Sequence, residues 1–182
     1  QFDQSFTFND LTHKGALTAI RIEGPSNSVD HRIKNLSAEL GLLENEYSIL
    51  ESVQTKIFWN KTKNLEIFSN SKKNLLRIVV PISETLSVLQ KMKPYEINYF
   101  LDWGGSLIWV ELEKISLKIL REIKDIMQQH SGYFTIIKVE DDLKASADIF
   151  TIDPIKYKIS EKIKKSFDPK RIFNPGKMYS GI

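Results

Sequence analysis

The sequence predicts an α+β domain built on an antiparallel sheet in the order βαββαβ, with helices on one face. Three observations predict it. Four short runs, residues 75–80, 96–102, 107–112 and 134–139, read as strands. Two stretches between them carry apolar residues at helical spacing: Leu86, Leu89 and Met92, then Ile119, Leu120, Ile123 and Met127. Gly104-Gly105 makes a tight turn that returns the second strand as the third. Pro81 ends the first strand, and Ser83 is placed to cap the helix that follows. Ser116 starts the second helix, which ends near Gly132. This is the ferredoxin-like order, two split βαβ units with both helices on one side. The other face is left open, with Arg77 and Val79 on one strand and Trp109 and Glu111 on another.

The flanking segments extend that sheet and its helical layer. Residues 1–14 are polar and aromatic without a clear period, and read as a linker or the end of a missing upstream domain. Residues 16–23 fit a strand, with Ile20 and Ile22 on one face and Arg21 and Glu23 on the other. Gly24-Pro25-Ser26 breaks it. Val29, Ile33, Leu36 and Leu40 then form a helical stripe, and Gly41 stands at its C-terminal cap. Ser48 and Glu51 fit a capping box for a helix over residues 49–63 that buries Leu50, Val53 and Ile57. Residues 15–150 are read as one domain. Residues 151–182 form a C-terminal helix, with Ile155, Ile159 and Ile163 inward, and a tail.

Composition narrows the chemistry. The 182 residues are 41% hydrophobic and 27% charged, enough apolar material for a core without staples. Cysteine is absent, so disulfides, thiolate metal sites, iron–sulfur ligation and cysteine nucleophiles are excluded. A net charge of +3, with both signs interspersed, does not point to nucleic acid. No run is apolar for long enough to span a bilayer, and no signal peptide is visible. Gln1 in place of methionine leads to the expectation of a chain cut from something longer.

Motifs of common enzymes are missing: no nucleophile elbow, Walker loop, GxGxxG or HExxH. His13, His31 and His130 lie far apart and read as surface histidines, so no metal is expected. Lys156, Lys158, Lys162, Lys164, Lys165 and Lys170, with Arg171, read as a solvated helix face or as a docking surface for an acidic partner or anionic lipid. Tyr99, Trp103 and Trp109 read as sheet packing or as a platform for a planar ring. Arg21 and Arg77 are strand arginines, either surface charges or clamps for a carboxylate.

The tail carries the most specific pattern. Phe167-Asp168-Pro169-Lys170-Arg171-Ile172-Phe173-Asn174-Pro175-Gly176-Lys177 resembles the D-P-x-x-x-x-N-P-G-K ending of FAD-linked oxidases of the vanillyl-alcohol oxidase type. Residues 17–24 (LTAIRIEG), 76–81 (LRIVVP) and 101–109 (LDWGGSLIW), each in its helical or hairpin context, are similar to one branch, the FAD-binding E subunits of bacterial glycolate oxidase. The closing Lys177-Met178-Tyr179-Ser180-Gly181-Ile182 is similar to the same branch.

The resemblance implies a C-terminal cap domain of the FAD-linked oxidase type, lying over the isoalloxazine ring. It implies FAD as cofactor, bound mainly by an upstream domain absent from this chain. The open sheet face would look onto the flavin. Asn174 is the candidate residue near the ring, and Trp109, Arg77 and Arg21 are weaker candidates on the open face. The implied partners are the chain's own FAD-binding domain, a catalytic flavoprotein D subunit and an iron–sulfur subunit. The whole complex would oxidise glycolate to glyoxylate in the bacterial cytoplasm, peripherally at the inner membrane. Related catalytic subunits carry a histidine-rich cap segment that this chain lacks. No catalytic residue is therefore assigned, and the fragment alone is expected to be inactive. The alternative is a stand-alone ferredoxin-like module that binds a ligand or partner without redox chemistry.

Overall fold

A computed structural model of the chain describes residues 6–8, 11–13, 16–140, 143, 147–149 and 153–176. They divide between two units, residues 1–70 and 71–182.

In the first unit β1 (Phe6–Phe8) pairs antiparallel with β2 (Leu11–His13), Phe6 opposite His13. The predicted strand over residues 16–23 does not form. Its alternation has no neighbouring strand to ladder with, and Ile20 stays exposed. Helix α1 (Ser26–Glu39) starts where Gly24-Pro25 turns the chain; Ser28 and Val29 donate to the Pro25 carbonyl at 2.9 and 3.0 Å. It ends as predicted, with Gly41 in the left-handed region at φ 65°. Val29, Ile33 and Leu36 are half-buried, but Leu40 is exposed.

Helix α2 (Ser52–Lys63) begins three residues later than the sequence suggests. Glu51 precedes it as an extended cap without a side-chain bond, so the Ser48–Glu51 box is not made. Val53 and Ile57 are exposed, and Phe58 and Trp59 are half-buried in their place, edge to face at 5.3 Å. Rings bury more area per residue than branched aliphatics, and here they fix which face turns inward.

The second unit holds the predicted sheet. β3 (Asn74–Val79), β4 (Asn98–Asp102), β5 (Leu107–Leu112) and β6 (Tyr133–Lys138) are all antiparallel and lie in the order β4-β5-β3-β6. This is the ferredoxin-like arrangement, with α3 (Thr85–Met92) and α4 (Leu117–Gln129) as the two crossovers. One core joins them. Leu76, Ile78 and Val80, Ile108, Val110 and Leu112, and Phe134 and Ile136 point to one side of the sheet. Val88 and Met92 of α3 and Leu120, Ile123 and Met127 of α4 pack onto them.

Leu86 is 72% exposed, against expectation, and Val88 takes the inward place. Thr85, Val88, Leu89 and Met92 recur at i, i+3, i+4 and i+7 and make the inward stripe, and Leu86 stands about 100° round the helix from Thr85, off it.

Helix α4 begins on Ser116, whose Oγ accepts from Ile119 N–H at 3.2 Å. It ends in a Schellman turn. Ser131 takes φ 53°, and Gly132 donates to Met127 O at 2.8 Å. A Cβ on Gly132 would stand 2.5 Å from Val80 Cγ1, so only glycine lets this turn close onto the sheet.

Helix α5 (Pro154–Phe167) is capped by Asp153, which accepts from Ile155 N–H at 2.8 Å. Ile155, Ile159 and Ile163, predicted inward, are all exposed. Tyr157, Ser160 and Lys164 are its half-buried residues instead.

Candidate functional site

The sheet's second face presents rows of side chains from four strands. The ladder sets Phe100, Trp109, Arg77 and Thr135 side by side, and Asp102, Leu107, Val79 and Tyr133 in the next row. Arg77 and Trp109, two of the sequence candidates, are direct cross-strand partners. The Arg77 guanidinium carbon lies 5.9 Å from the Trp109 ring centroid and 5.1 Å from that of Trp103. Among the described residues no carboxylate pairs with Arg77. A cation flanked by two indoles and lacking a counter-ion suits an anionic or electron-rich planar group.

The Asp-Trp-Gly-Gly turn brings Trp103 there. Trp103, Gly104 and Gly105 take φ 52°, 64° and 108°, three successive positive values. The Asp102 carboxylate accepts from Trp103 N–H at 2.7 Å, and Thr85 Oγ1 donates to Gly105 O at 2.7 Å. The turn is thereby tied both to its own strand and to the start of α3.

At the other end of the face Glu111 is buried. Its carboxylate accepts from Asn98 Nδ2 at 3.1 Å, with Lys73 Nζ at 3.9 Å. Lys73 also bridges to Glu113 at 3.0 Å, and that hydrogen bond is the main reason its ammonium titrates above its ordinary value.

The tail of the same unit is ordered by one carboxylate. Asp168 is buried, and accepts from Lys164 Nζ at 2.8 Å and from the backbone N–H of Ile172 and Phe173, both at 2.9 Å. The hydrogen bond from Lys164, helped by the two amides and opposed by burial, holds its carboxyl down at about 2. Lys164 Nζ also reaches Phe173 O at 2.5 Å. Asn174 follows at φ 47°, exposed. The tail is thus a fixed turn, but residues 169–176 lie on the surface. Lys177 and the closing Met-Tyr-Ser-Gly-Ile lie outside the described residues.

Of the four sequence candidates the structure brings together only Arg77 and Trp109. Arg21 belongs to the first unit, where it pairs with Glu23 and lies 6.0 Å from the Trp59 ring centroid.

Sequence reasoning missed the third member of the cluster's geometry, the approach of Trp103 to Arg77. It also missed His130. That histidine is no surface residue: only 11% of its side chain is exposed, and Nδ1 lies 2.6 Å from Glu84 Oε2. Nε2 is buried with no hydrogen-bond partner among the described residues. A gap of 46 positions separates the pair, so no local pattern announces it.

Among the described residues no group of His, Cys, Asp and Glu is placed to hold a metal, and no helix is long and apolar enough to cross a membrane. For FAD the fit is partial. The open face offers flat aromatic surface and a cation to a ring system, but the described residues form no glycine-rich loop opening a helix to take a pyrophosphate. Neither a family model nor a curated protein matches the chain.

Proposed function

We propose that this chain is the cap portion of an FAD-linked oxidase subunit of the glycolate oxidase type. Its open sheet face turns toward the isoalloxazine ring of a flavin held by an upstream domain. The observation that carries the reading is Arg77, which no carboxylate among the described residues pairs with, near both Trp103 and Trp109 on the sheet face opposite α3 and α4. FAD, when bound, supplies hydride acceptance from the α-carbon of glycolate as it becomes glyoxylate. The chain's own residues position: Arg77 offers positive charge to an anionic group, and the two indoles exclude water beside it. The Asp168 turn fixes the backbone at Ile172 and Phe173, and Asn174, exposed just beyond it, would meet the domain that carries the ring. Electrons would pass on to an iron–sulfur subunit, with a D-type flavoprotein as companion, in the cytoplasm.

The test uses the chain together with its upstream coding sequence and co-expressed partner subunits. The expected result is a flavin absorption band, glycolate-dependent dye reduction, and a loss of at least tenfold in that activity on Arg77→Ala or Asn174→Ala. The 182-residue chain alone is expected to be colourless. An initiator codon directly before Gln1, or a stoichiometric flavin band in the chain alone, overturns the reading. The first of these outcomes leaves a stand-alone module that binds through its open sheet face.

A further inference from the structure

We infer that the free edge of β4 pairs with β4 of a second copy of this chain, joining two four-stranded sheets into one of eight strands. This does not rest on the flavin reading. The two edges of the sheet differ. β6 is guarded: Ile136 N–H donates to the Ile149 carbonyl at 2.8 Å, the ladder with β3 shifts register beside Leu76, and the strand ends on an exposed Lys138. A covering segment, an irregular ladder and a lysine are the usual protections against a further strand. β4 has none of them. It pairs with β5 alone, in unbroken register from Asn98 to Asp102. Alternate N–H and C=O groups of such a strand point outward. Among the described residues, no other backbone group meets those of residues 98–102. The strand contains neither proline nor lysine, and Leu101 is exposed.

The sequence of β4 decides what takes the edge, because it is complementary to itself. Antiparallel pairing about a twofold axis through Phe100 sets Asn98 opposite Asp102, Tyr99 opposite Leu101, and Phe100 opposite its own copy. Asn98 gives one amide hydrogen to Glu111 and has a second for the facing carboxylate. Asp102 accepts from Trp103 N–H through Oδ1 and keeps Oδ2 for that amide. Apolar residues meet apolar ones at the three central positions. The axis stands perpendicular to the sheet, so opposed residues share a face and the register can move only two residues at a time. Centring on Tyr99 would set Glu96 against Asp102, two like charges. Centring on Leu101 would carry Asn98 past the strand end onto Gly104. Of these registers, the one through Phe100 alone pairs the whole strand without a charge conflict. Both open faces then lie on the same side, and the row of Arg77, Trp109 and Phe100 runs on into the same row of the second copy.

The test is sedimentation equilibrium of the full chain over a range of concentrations, with circular dichroism to confirm that each variant is folded. A monomer–dimer equilibrium is expected. Phe100→Lys and Phe100→Glu each place two like charges at the axis, and each should weaken the dimer on the order of tenfold or more. Mixed one to one, the two variants should pair with each other. Crosslinking gives a second reading, because the chain has no cysteine of its own. Phe100→Cys should form a disulfide-linked dimer under mild oxidation, since opposed residues at the axis bring their Cβ atoms within reach. Ile137→Cys, exposed on the guarded edge, should stay a free thiol. Should a charged variant fail to fold, the cysteine comparison decides. The inference is overturned if the wild-type chain is monomeric up to about 1 mM, which leaves the edge to a strand of another protein. It is also overturned if the folded charged variants dimerise like wild type, if their mixture stays monomeric, or if Phe100→Cys crosslinks no faster than Ile137→Cys.

Discussion

Helices α4 and α5 look alike in the sequence and end in opposite situations. Each carries an apolar stripe at helical spacing, and each begins on a side-chain cap, Ser116 or Asp153. In α4 the stripe of Leu120, Ile123 and Met127 is buried on the sheet. In α5 the stripe of Ile155, Ile159 and Ile163 faces outward, and a lysine lies in the half-buried seam. Periodicity states that a surface wants covering. It does not name what covers it. The ends of the two helices explain the outcome. Gly132 lets α4 turn directly onto β3, whereas α5 runs into Asp168, whose carboxylate binds the chain back onto the helix's polar side.

Truncation measures the contrast most strongly. Ile123→Ala should cost about 2–5 kcal/mol of stability, read from urea unfolding. Ile159→Ala should stay within about 0.5 kcal/mol of wild type by the same measurement. Equal losses would show that α5 is covered after all.

The next effect concerns how α4 is held. Gly132→Ala sets a methyl against Val80 and should cost about 1–3 kcal/mol. A neutral result would mean that the turn does not need this close approach. Ser131 sits beside it in the left-handed region, where a side chain is strained. Ser131→Gly should therefore stabilise the fold by about 0.5–1 kcal/mol, read from urea unfolding.

The smallest effect belongs to the end of α5. The Asp168 carboxyl titrates at about 2 in the fold, below its ordinary 3.8. A lowered carboxyl stabilises the fold above its unfolded pKa, and that contribution fades as pH falls through the folded one. The Ile172 and Phe173 amides should therefore lose their bonds as pH falls through about 2, while the stability they lend declines from about pH 4 downward. An NMR titration of the Asp168 carboxyl carbon checks the midpoint, and Asp168→Asn should flatten the pH response of both amides.

The same contrast marks how far the sequence could be read. The four strands, both crossover helices and the placement of Arg77 and Trp109 on one face all follow from local pattern and topology. They are legible because alternation and turn chemistry fix register over short distances. Leu86 departs from its expected place because the inward stripe of α3 begins on Thr85, a polar residue that apolar periodicity passes over. The strand over residues 16–23 failed because alternation needs a neighbour, and none is paired there. Trp103 reaches Arg77 only through three residues with positive φ, and Trp103 itself is not a glycine. Only the folded turn makes that conformation visible.

The distribution of tryptophan gives the molecule its own optics. Of the three indoles, Trp59 belongs to the first unit, and Trp103 and Trp109 to the second. Each unit thus emits its own light, with an arginine near every emitter: Arg21 by Trp59, Arg77 by the other two. In a Trp59→Phe variant all the tryptophan fluorescence comes from Trp103 and Trp109. An anion or planar ring settling at Arg77 should then change the emission directly, with no label attached.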